Sequence, residues 1–556
     1  MLTVLLIGGY GTFGRRIVTR LATEPDLHIV VAGRNLRKAK EICADLQHKA
    51  ITLSPLRFDR TRAIAPQVKQ HFDVIIDASG PFQSYTDEAI ADYCIAHNIA
   101  YFDLSDDRAF CARIMTKTSS APLITGLSTY PVLTAAAAKA AAEHFSIMTK
   151  IEAGISPAPA TDMGRSVVEA VASKAGQPMT ALEGGEIKSV AAMTQTRRLG
   201  MAAPGASIIG NVLFSCADAP ETDALPRLFP DLEDIWCGAG PRPAWLHRLF
   251  ILMAKMRAMK LLPNIDLFSG LMHRVQNALP ARDDRGAMCV YIHGRDLEGA
   301  PQTRSWHLIA RGESGPHIPA LPAVILIETL LRGGSLPPGA QYGSDLLELS
   351  DFDVRFANLD IIHGFRSPMP RTENLYHRVL GPAYDTLPAP IRALHDIGQG
   401  KIFKGHANIT RGNNILANSV ANIFRFPRGG DDVPVTVSLT RHKDIEHWVR
   451  HFDGKRMFST QDAGRGKDAF QIIERFGPVS ARLNVTLSDG RLNLTPTAFR
   501  VFGIPLPKFT FPRGDMFEYV KDGEFMFHVD IVAPLIGRLV KYEGNLEPTK
   551  TPPQNL

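Results

Sequence analysis

The sequence predicts a multidomain α/β protein: a parallel, doubly wound sheet at the N-terminus, an α+β segment after it, and a mostly antiparallel β domain at the C-terminus. Three observations carry this. Up to about residue 145, short β-branched runs alternate with amphipathic helical stretches, the rhythm of parallel strands covered on both faces. After the bend at Ser367 to Arg371, alternating segments are separated by three Asp-Gly pairs, which supply the positive φ angles of tight hairpins. The 556 residues are also about three to four times the length of a common single domain. The expected division is 1–148, 149–365 and 366–556.

Each element has its own signal. Leu2 to Ile7 is apolar, lacks a basic lead-in and runs straight into glycines, so it reads as a first strand and not as an export signal. A helix is expected over Thr12 to Thr23, then strand and helix again over Leu27 to Ala32 and Leu36 to Leu46. The rhythm continues with Val74 to Asp77, Thr86 to Ala96, Ile99 to Phe102, Pro122 to Thr125 and the alanine-rich Leu133 to Ala142. In the middle segment, Lys150 to Ser156 reads as a strand, and Val167 to Lys174 and Ala323 to Leu331 as helices. In the last, a helix at Leu375 to Val379 precedes strands at Ile445 to Phe452, Arg456 to Gln461, Ala481 to Leu487 and Glu524 to Val529. Hairpins at Asp453-Gly454, Asp489-Gly490 and Asp522-Gly523 make an antiparallel sheet or open barrel.

Composition narrows the function classes. With 45% hydrophobic and 21% charged residues, the chain is neither disordered nor collagen-like. No apolar run approaches the length of a membrane span. Six cysteines without a C-x-x-C pair indicate neither a disulfide framework nor a zinc site, and a reducing cytoplasm is the expected compartment. The net charge of +6 comes from the C-terminal third, where 26 Lys and Arg stand against 19 Asp and Glu from Arg366 onward. The two signs are interleaved, which fits a solvated face, and no nucleic-acid partner is expected.

The strongest chemical signal is G-x-G-x-x-G at Gly9, Gly11 and Gly14, with Thr12 and Phe13 between the last two. It follows an apolar strand and opens a helix, the context of a Rossmann-type crossover in which backbone amides and the helix dipole face a pyrophosphate. Gly9 is expected to make the tight turn, Gly11 the phosphate approach and Gly14 the helix-strand packing. The second strand ends at Arg34-Asn35, where an NAD site usually places an acid. Arg34, backed by Arg37 and Lys38, offers donors to a 2′-phosphate, so NADP(H) is the expected cofactor, the other reading being a solvated basic helix turn. Ser79, Gly80, Pro81 and Phe82 follow the next strand and Asp103 the one after. Ser79 and Phe82 either touch the cofactor or build a turn, and Asp103 either orients substrate or caps a helix.

These turns, with Thr125-Gly126-Leu127-Ser128-Thr129-Tyr130-Pro131, resemble the NADP-binding domain of saccharopine dehydrogenase-like oxidoreductases. Gly315-Pro316-His317-Ile318-Pro319 is similar to the closing segment of that family's second domain, and the resemblance covers about residues 1 to 365. The segments Leu375 to Gly381 and Phe403 to Ala407 resemble DUF4166, a domain of unknown function found fused to such reductases. The resemblance implies a dinucleotide-dependent oxidoreductase with a small-molecule substrate. The lysine and histidine constellation of saccharopine-forming enzymes has no match, so lysine biosynthesis is not expected; the extra C-terminal domain and the altered middle argue for a different, more apolar substrate.

A hydride donor needs a neighbouring acid. Tyr130, Asp162 and Arg165 are the catalytic candidates, each with a structural alternative as a buried tyrosine or a helix cap. His293, His307 and His317 are further candidates without a spacing to rank them, and no metal site is expected from His442, Glu446 and His447. Trp245 to Leu262 mixes large apolar residues with Arg248, Lys255, Arg257 and Lys260, which fits a peripheral membrane contact or a core or homodimer-interface helix. The rival to an enzyme is a non-catalytic NADP(H)-binding regulatory or membrane-peripheral module.

Overall fold

The computed structural model describes residues 1–47, 49–68, 70–159, 171–262, 283–367, 374–398, 400–465 and 468–549. The chain divides into two units, one of residues 1–199 and 212–362, the other of residues 200–211 and 363 onward.

The first unit begins with β1 (Leu2–Ile7), α1 (Thr12–Arg20), β2 (Leu27–Gly33), α2 (Leu36–Asp45), β3 (Thr52–Arg57) and β4 (Val74–Asp77). Then come α3 (Ala89–His97), β5 (Ala100–Asp103), α4 (Arg108–Met115), β6 (Pro122–Thr125) and α5 (Thr129–Ala141). The six strands are parallel, in the order β6-β5-β4-β1-β2-β3, and Gly339–Tyr342 adds a seventh parallel strand beside β6. Leu5, Leu6, Ile75 and Ile76 are fully buried, because consecutive residues of a helix-covered strand point into two cores. Each such side chain contributes about 1.5–3 kcal/mol. The apolar pattern marks no bounds for the third strand, β3, a half-exposed edge carrying Pro55, which cannot donate to a ladder. Pairing sets Ile7 opposite both Ala32 and Asp77, and Asp77 opposite Asp103. The turns after β1, β2, β4 and β5 therefore share one sheet edge.

A mixed sheet follows, built on β7 (Ile147–Ser156), β8 (Ile209–Cys216), β9 (Asp234–Ala239), β10 (Gly286–Arg295) and β11 (Pro301–Ala310). The helices α6 (Glu221–Leu228), α7 (Ala244–Ala258) and α8 (Leu321–Leu331) accompany it. The strand β7 pairs in parallel with β9 and antiparallel with β10, so the sheet is mixed, as an α+β segment requires. Of the helix expected at Val167 to Lys174, only residues 171–174 are described, and they are helical.

In the second unit, α9 (Leu375–Leu380) and α10 (Ala389–His395) precede β12 (Lys401–Arg411), α11 (Ile415–Ile423), β13 (Gly430–His442), β14 (Ile445–Phe452) and β15 (Lys455–Ala463). Then follow β16 (Ile472–Phe476), β17 (Val479–Ser488), β18 (Arg491–Val501), β19 (Met516–Lys521), β20 (Glu524–Ala533) and β21 (Gly537–Pro548). Each strand pairs antiparallel with the next, and β21 returns to β12. The result is a ten-stranded up-and-down barrel, joined all the way round and thinnest between β18 and β19, where two residue pairs connect the strands. All three Asp-Gly pairs sit in two-residue turns with positive φ, for example Asp489 at 51° and Gly490 at 71°. Phe502-Gly503 makes the same kind of turn (φ 49° and 80°) without an Asp or Asn to announce it.

Residues 200–211 belong with the barrel through named bonds: Leu487 N donates to Gly205 O (3.1 Å), Asn484 Nδ2 to Ser207 Oγ (2.5 Å) and Arg366 Nε to Ala202 O (2.9 Å). No described helix is long and apolar enough to cross a membrane.

Candidate functional site

The edge carrying the four turns begins with the β1–α1 crossover. Gly8 takes φ 78°, so the sharp turn falls on Gly8 and not on Gly9 as expected. Gly8 N and Gly9 N both donate to Ala32 O (2.9 and 3.2 Å), and Gly11 N donates to Gly8 O (2.8 Å), which fixes the loop against β2. A Cβ on Gly14 would lie 2.3 Å from Gly8 O, so this glycine lets α1 close on the turn. A Cβ on Gly11 would meet only Gly8 O, at 3.0 Å, and otherwise open space. No side chain caps α1 and no acid stands in its first turn, so the amides around Thr12 and Phe13 face outward toward an anion's position. The cradle fits a diphosphate.

At the end of β2, Arg34 is exposed and has no ion-pair partner among the described residues. Arg37 differs: it pairs with Glu41 (3.0 Å) across one turn of α2. The side chain of Asn35 is the N-cap of α2, accepting from Lys38 N at 3.2 Å, and its backbone N–H donates to Tyr10 Oη at 2.9 Å. Asn35 thus holds the loop through its Oδ1 and its backbone N–H. The Tyr10 ring lies where a Cβ on Gly33 would be, within 2.5–2.7 Å, an interlock that sequence reasoning missed.

The turn after β4 is built as a network. Ser79 N and Oγ both donate to Asp77 Oδ1, and Ser79 Oγ also lies 3.0 Å from Tyr85 Oη. Arg60 covers the Tyr85 ring at 3.4 Å and reaches Asp77 Oδ2 at 3.5 Å. Burial raises the Asp77 carboxyl above its usual range, and Arg60 opposes that. Gly80 and Pro81 shape the bend through a cis peptide. Phe82 is buried against Phe110 and Tyr85 (centroids 5.0 and 5.4 Å), which places its ring in the core.

Asp103 does not cap a helix. It is fully buried and accepts from Ser105 N and Gly126 N, both at 3.0 Å, tying the turns after β5 and β6 together. Burial pushes its carboxyl up to about 7. The cap of α4 is Asp107, which accepts from Phe110 N at 2.9 Å. Tyr130 is buried, and its hydroxyl donates to Gly238 O (3.1 Å) in β9, so it joins the two sheets of this unit and is engaged as a structural donor. Asp162 and Arg165 lie outside the described residues.

Beyond the same edge, Asp107 also meets Lys174, whose ammonium is 3.0 Å from its Oδ2. Arg108 donates to Thr180 Oγ1 and Asp223 Oδ1, each at 2.9 Å. Asp218 lies in the field of Lys174 and Arg108, its carboxyl raised by burial. A polar cluster from both sheets therefore borders the turns after β4 and β5. Glu221, buried at the start of α6, accepts from Thr134 Oγ1 (2.8 Å), and burial pushes it up to about 8. None of these groups carried a motif.

Two of the candidate histidines are engaged elsewhere. His293 sits between Thr303 (2.9 Å) and Glu152 (3.1 Å), and His307 is buried against Ser305 (2.8 Å). Desolvation first, then Arg20 and Arg16 of α1, lower His317 to about 4. Among the described residues no group of three His, Cys, Asp or Glu could hold a metal ion.

Residues 4–144 match the saccharopine dehydrogenase NADP binding domain. The match spans the whole crossover and its companion turns, and supports an NAD(P)-dependent oxidoreductase. Residues 387–546 match DUF4166, a domain of unknown function. Among solved structures, apo histidine-tagged saccharopine dehydrogenase (L-Glu forming) from Saccharomyces cerevisiae is 13% identical, covering 66% of this chain and 100% of its own, with a TM-score of 0.48. A meso-dapdh mutant with DAP from Clostridium tetani is 11% identical over 64% of this chain and 96% of its own (TM-score 0.29). A Gfo/Idh/MocA family oxidoreductase from Vibrio cholerae is 9% identical over 61% and 91% (TM-score 0.27). No curated protein matches the sequence.

Proposed function

We propose that this chain is an NADP(H)-dependent oxidoreductase of the saccharopine dehydrogenase-like kind, acting on a small molecule. In this reading residues 1–148 hold the cofactor, 149–365 shape the substrate site and 366–556 form an accessory domain. The observation that carries it is the bare glycine cradle with an unpaired Arg34 at the end of β2, the position where an acid would select a free ribose hydroxyl. When bound, the nicotinamide would supply or accept hydride. The first-turn amides of α1 would hold its diphosphate and the Arg34 guanidinium the adenosine 2′-phosphate. With the Tyr130 hydroxyl engaged by Gly238, Lys174 is the better proton donor: its Nζ is one-third exposed and held by Asp107 at the rim of the turns. The test is calorimetric. Wild type should bind NADPH tighter than NADH, and Arg34→Ala should weaken NADPH about 10- to 100-fold while leaving NADH unchanged. Equal affinity of wild type for both cofactors refutes the choice of NADP(H).

The helix α7 favours an additional contact. It buries His247, Phe250, Ile251 and Ala254 but leaves Trp245, Leu249 and Leu252 exposed beside Arg248 and Lys255. An apolar stripe edged with cations fits a peripheral membrane contact or a homodimer. Co-sedimentation with anionic liposomes supports the membrane, and a dimer lost in Leu249→Asp supports the second copy.

A further inference from the structure

The ten-stranded barrel encloses a cavity of about 310 Å³. That is within the range of sites for small ligands, and a barrel of this strand number has more interior than its own side chains fill. The walls are aliphatic and aromatic: Val437 from β13, Ala481 and Leu483 from β17, Phe499 from β18, Phe527 and Val529 from β20. The helices α9 and α10 reach the interior through Tyr376 and Leu394.

The charges that line it are mostly neutralised within the barrel. Arg450 lies 3.6 Å from Glu474 and donates to Ser459 Oγ (2.9 Å), with Ser459 Oγ in turn donating to Glu474 (2.8 Å). Glu518 is held by His395 (2.6 Å), His528 by Glu543 (3.0 Å) and Asp530 by Arg538 (3.0 Å). Arg513 is the exception: it lines the cavity, is exposed, and has no ion pair among the described residues.

Arg513 also marks an opening. The strand β18 pairs with β19 only through Leu492 and Asn493, and over Leu494 to Val501 it leaves that neighbour. The loop 502–515 fills the gap, and its Leu506, Thr510, Pro512 and Arg513 line the cavity. Because successive strands alternate in direction, this loop lies at the same barrel end as α11 and the β20–β21 turn. The large apolar side chains exposed there include Ile415, Leu416 and Ile423 of α11, Phe502, Ile504 and Phe509 of the loop, and Leu535 of the turn, from 57% to 106% exposed. An apolar rim around a gap in the wall is a route into an apolar interior.

We propose that the C-terminal barrel binds one long aliphatic chain bearing an anionic head, the chain lying in the cavity and the head at Arg513. The proposal is independent of the oxidoreductase reading, since it involves only residues of the barrel. An interior with paired charges excludes an ionised head, whereas an aliphatic chain gains from every methylene it buries.

The full-length protein should bind cis-parinaric acid saturably, at one probe per chain, with release by hexadecanoate. Ala481→Phe fills the cavity from one wall and Val529→Phe from another; each should weaken the probe at least about tenfold while the near-ultraviolet circular dichroism persists. Arg513→Ala, an exposed site that needs no repacking, should weaken hexadecanoate about fivefold and hexadecanol less than twofold. Absence of saturable binding by wild type, or unchanged affinity in a folded filled variant, overturns the site. An equal effect of Arg513→Ala on acid and alcohol overturns the placement of the head.

Discussion

Gly11→Ala separates a glycine kept for the fold from one kept for a ligand. Inside the protein, the new methyl would meet only Gly8 O at 3.0 Å, a contact relieved by a shift of a few tenths of an ångström. Gly11 is the N-cap of α1 at φ −74°, an angle alanine adopts freely. Alanine costs some tenths of a kcal/mol as an N-cap and returns about 0.4–1 kcal/mol by restricting the unfolded chain. The net effect on stability is near zero. A bound diphosphate changes this, because the methyl would stand between its oxygens and the first-turn amides. Losing two charge-assisted hydrogen bonds, at about 1.5–3 kcal/mol each, weakens binding by about 100-fold or more. Titration calorimetry with NADPH and a thermal melt on the same samples should therefore show lost affinity with a melting temperature within about 2 °C of wild type. Affinity within threefold of wild type would mean that the cradle holds no diphosphate.

Three other outcomes follow from the same unit. Tyr130→Phe removes the bond to the Gly238 carbonyl, costing about 0.5–1.5 kcal/mol and a few degrees of melting temperature, while NADPH oxidation on a panel of ketones, imines and enoyl compounds persists; abolished turnover in a folded variant would restore the tyrosine as the acid. Lys174→Met should lower turnover on any substrate that panel yields by about 100-fold or more with NADPH affinity unchanged, and unaltered turnover rejects the lysine. Burial pushes the Glu221 carboxyl from the ordinary 4.5 up to about 8 in the folded chain, so the unfolded chain ionises first. Its contribution is greatest below the unfolded pKa and is lost as pH rises toward the folded one, by at most about 1.4 kcal/mol per pH unit. Between pH 5.5 and 8 the melting temperature of Glu221→Gln should fall less than that of wild type; parallel profiles would mean the carboxyl is not held neutral.

What the sequence determined alone is what depends on residues a few positions apart. The run Leu2 to Gly14 specifies strand, turn and helix because its apolar residues and glycines act within one crossover. The Asp-Gly pairs specify hairpins because a two-residue turn needs two positive φ angles and little else. Arg34 was visible by its place after the second strand. The tertiary structure decided everything set by partners distant in the chain. Barrel closure depends on β21 finding β12, with Gly544 opposite Ala407. Tyr130, Asp103 and Phe82 look like site residues by position, yet their neighbours Gly238, Gly126 and Phe110 draw them into structure. Residues 200–211 join the barrel through Ser207 and Gly205, bonds for which no local pattern exists. Backbone geometry is encoded locally, whereas the side of a fold a polar group faces is chosen by the pairing that leaves it hydrogen-bonded when buried.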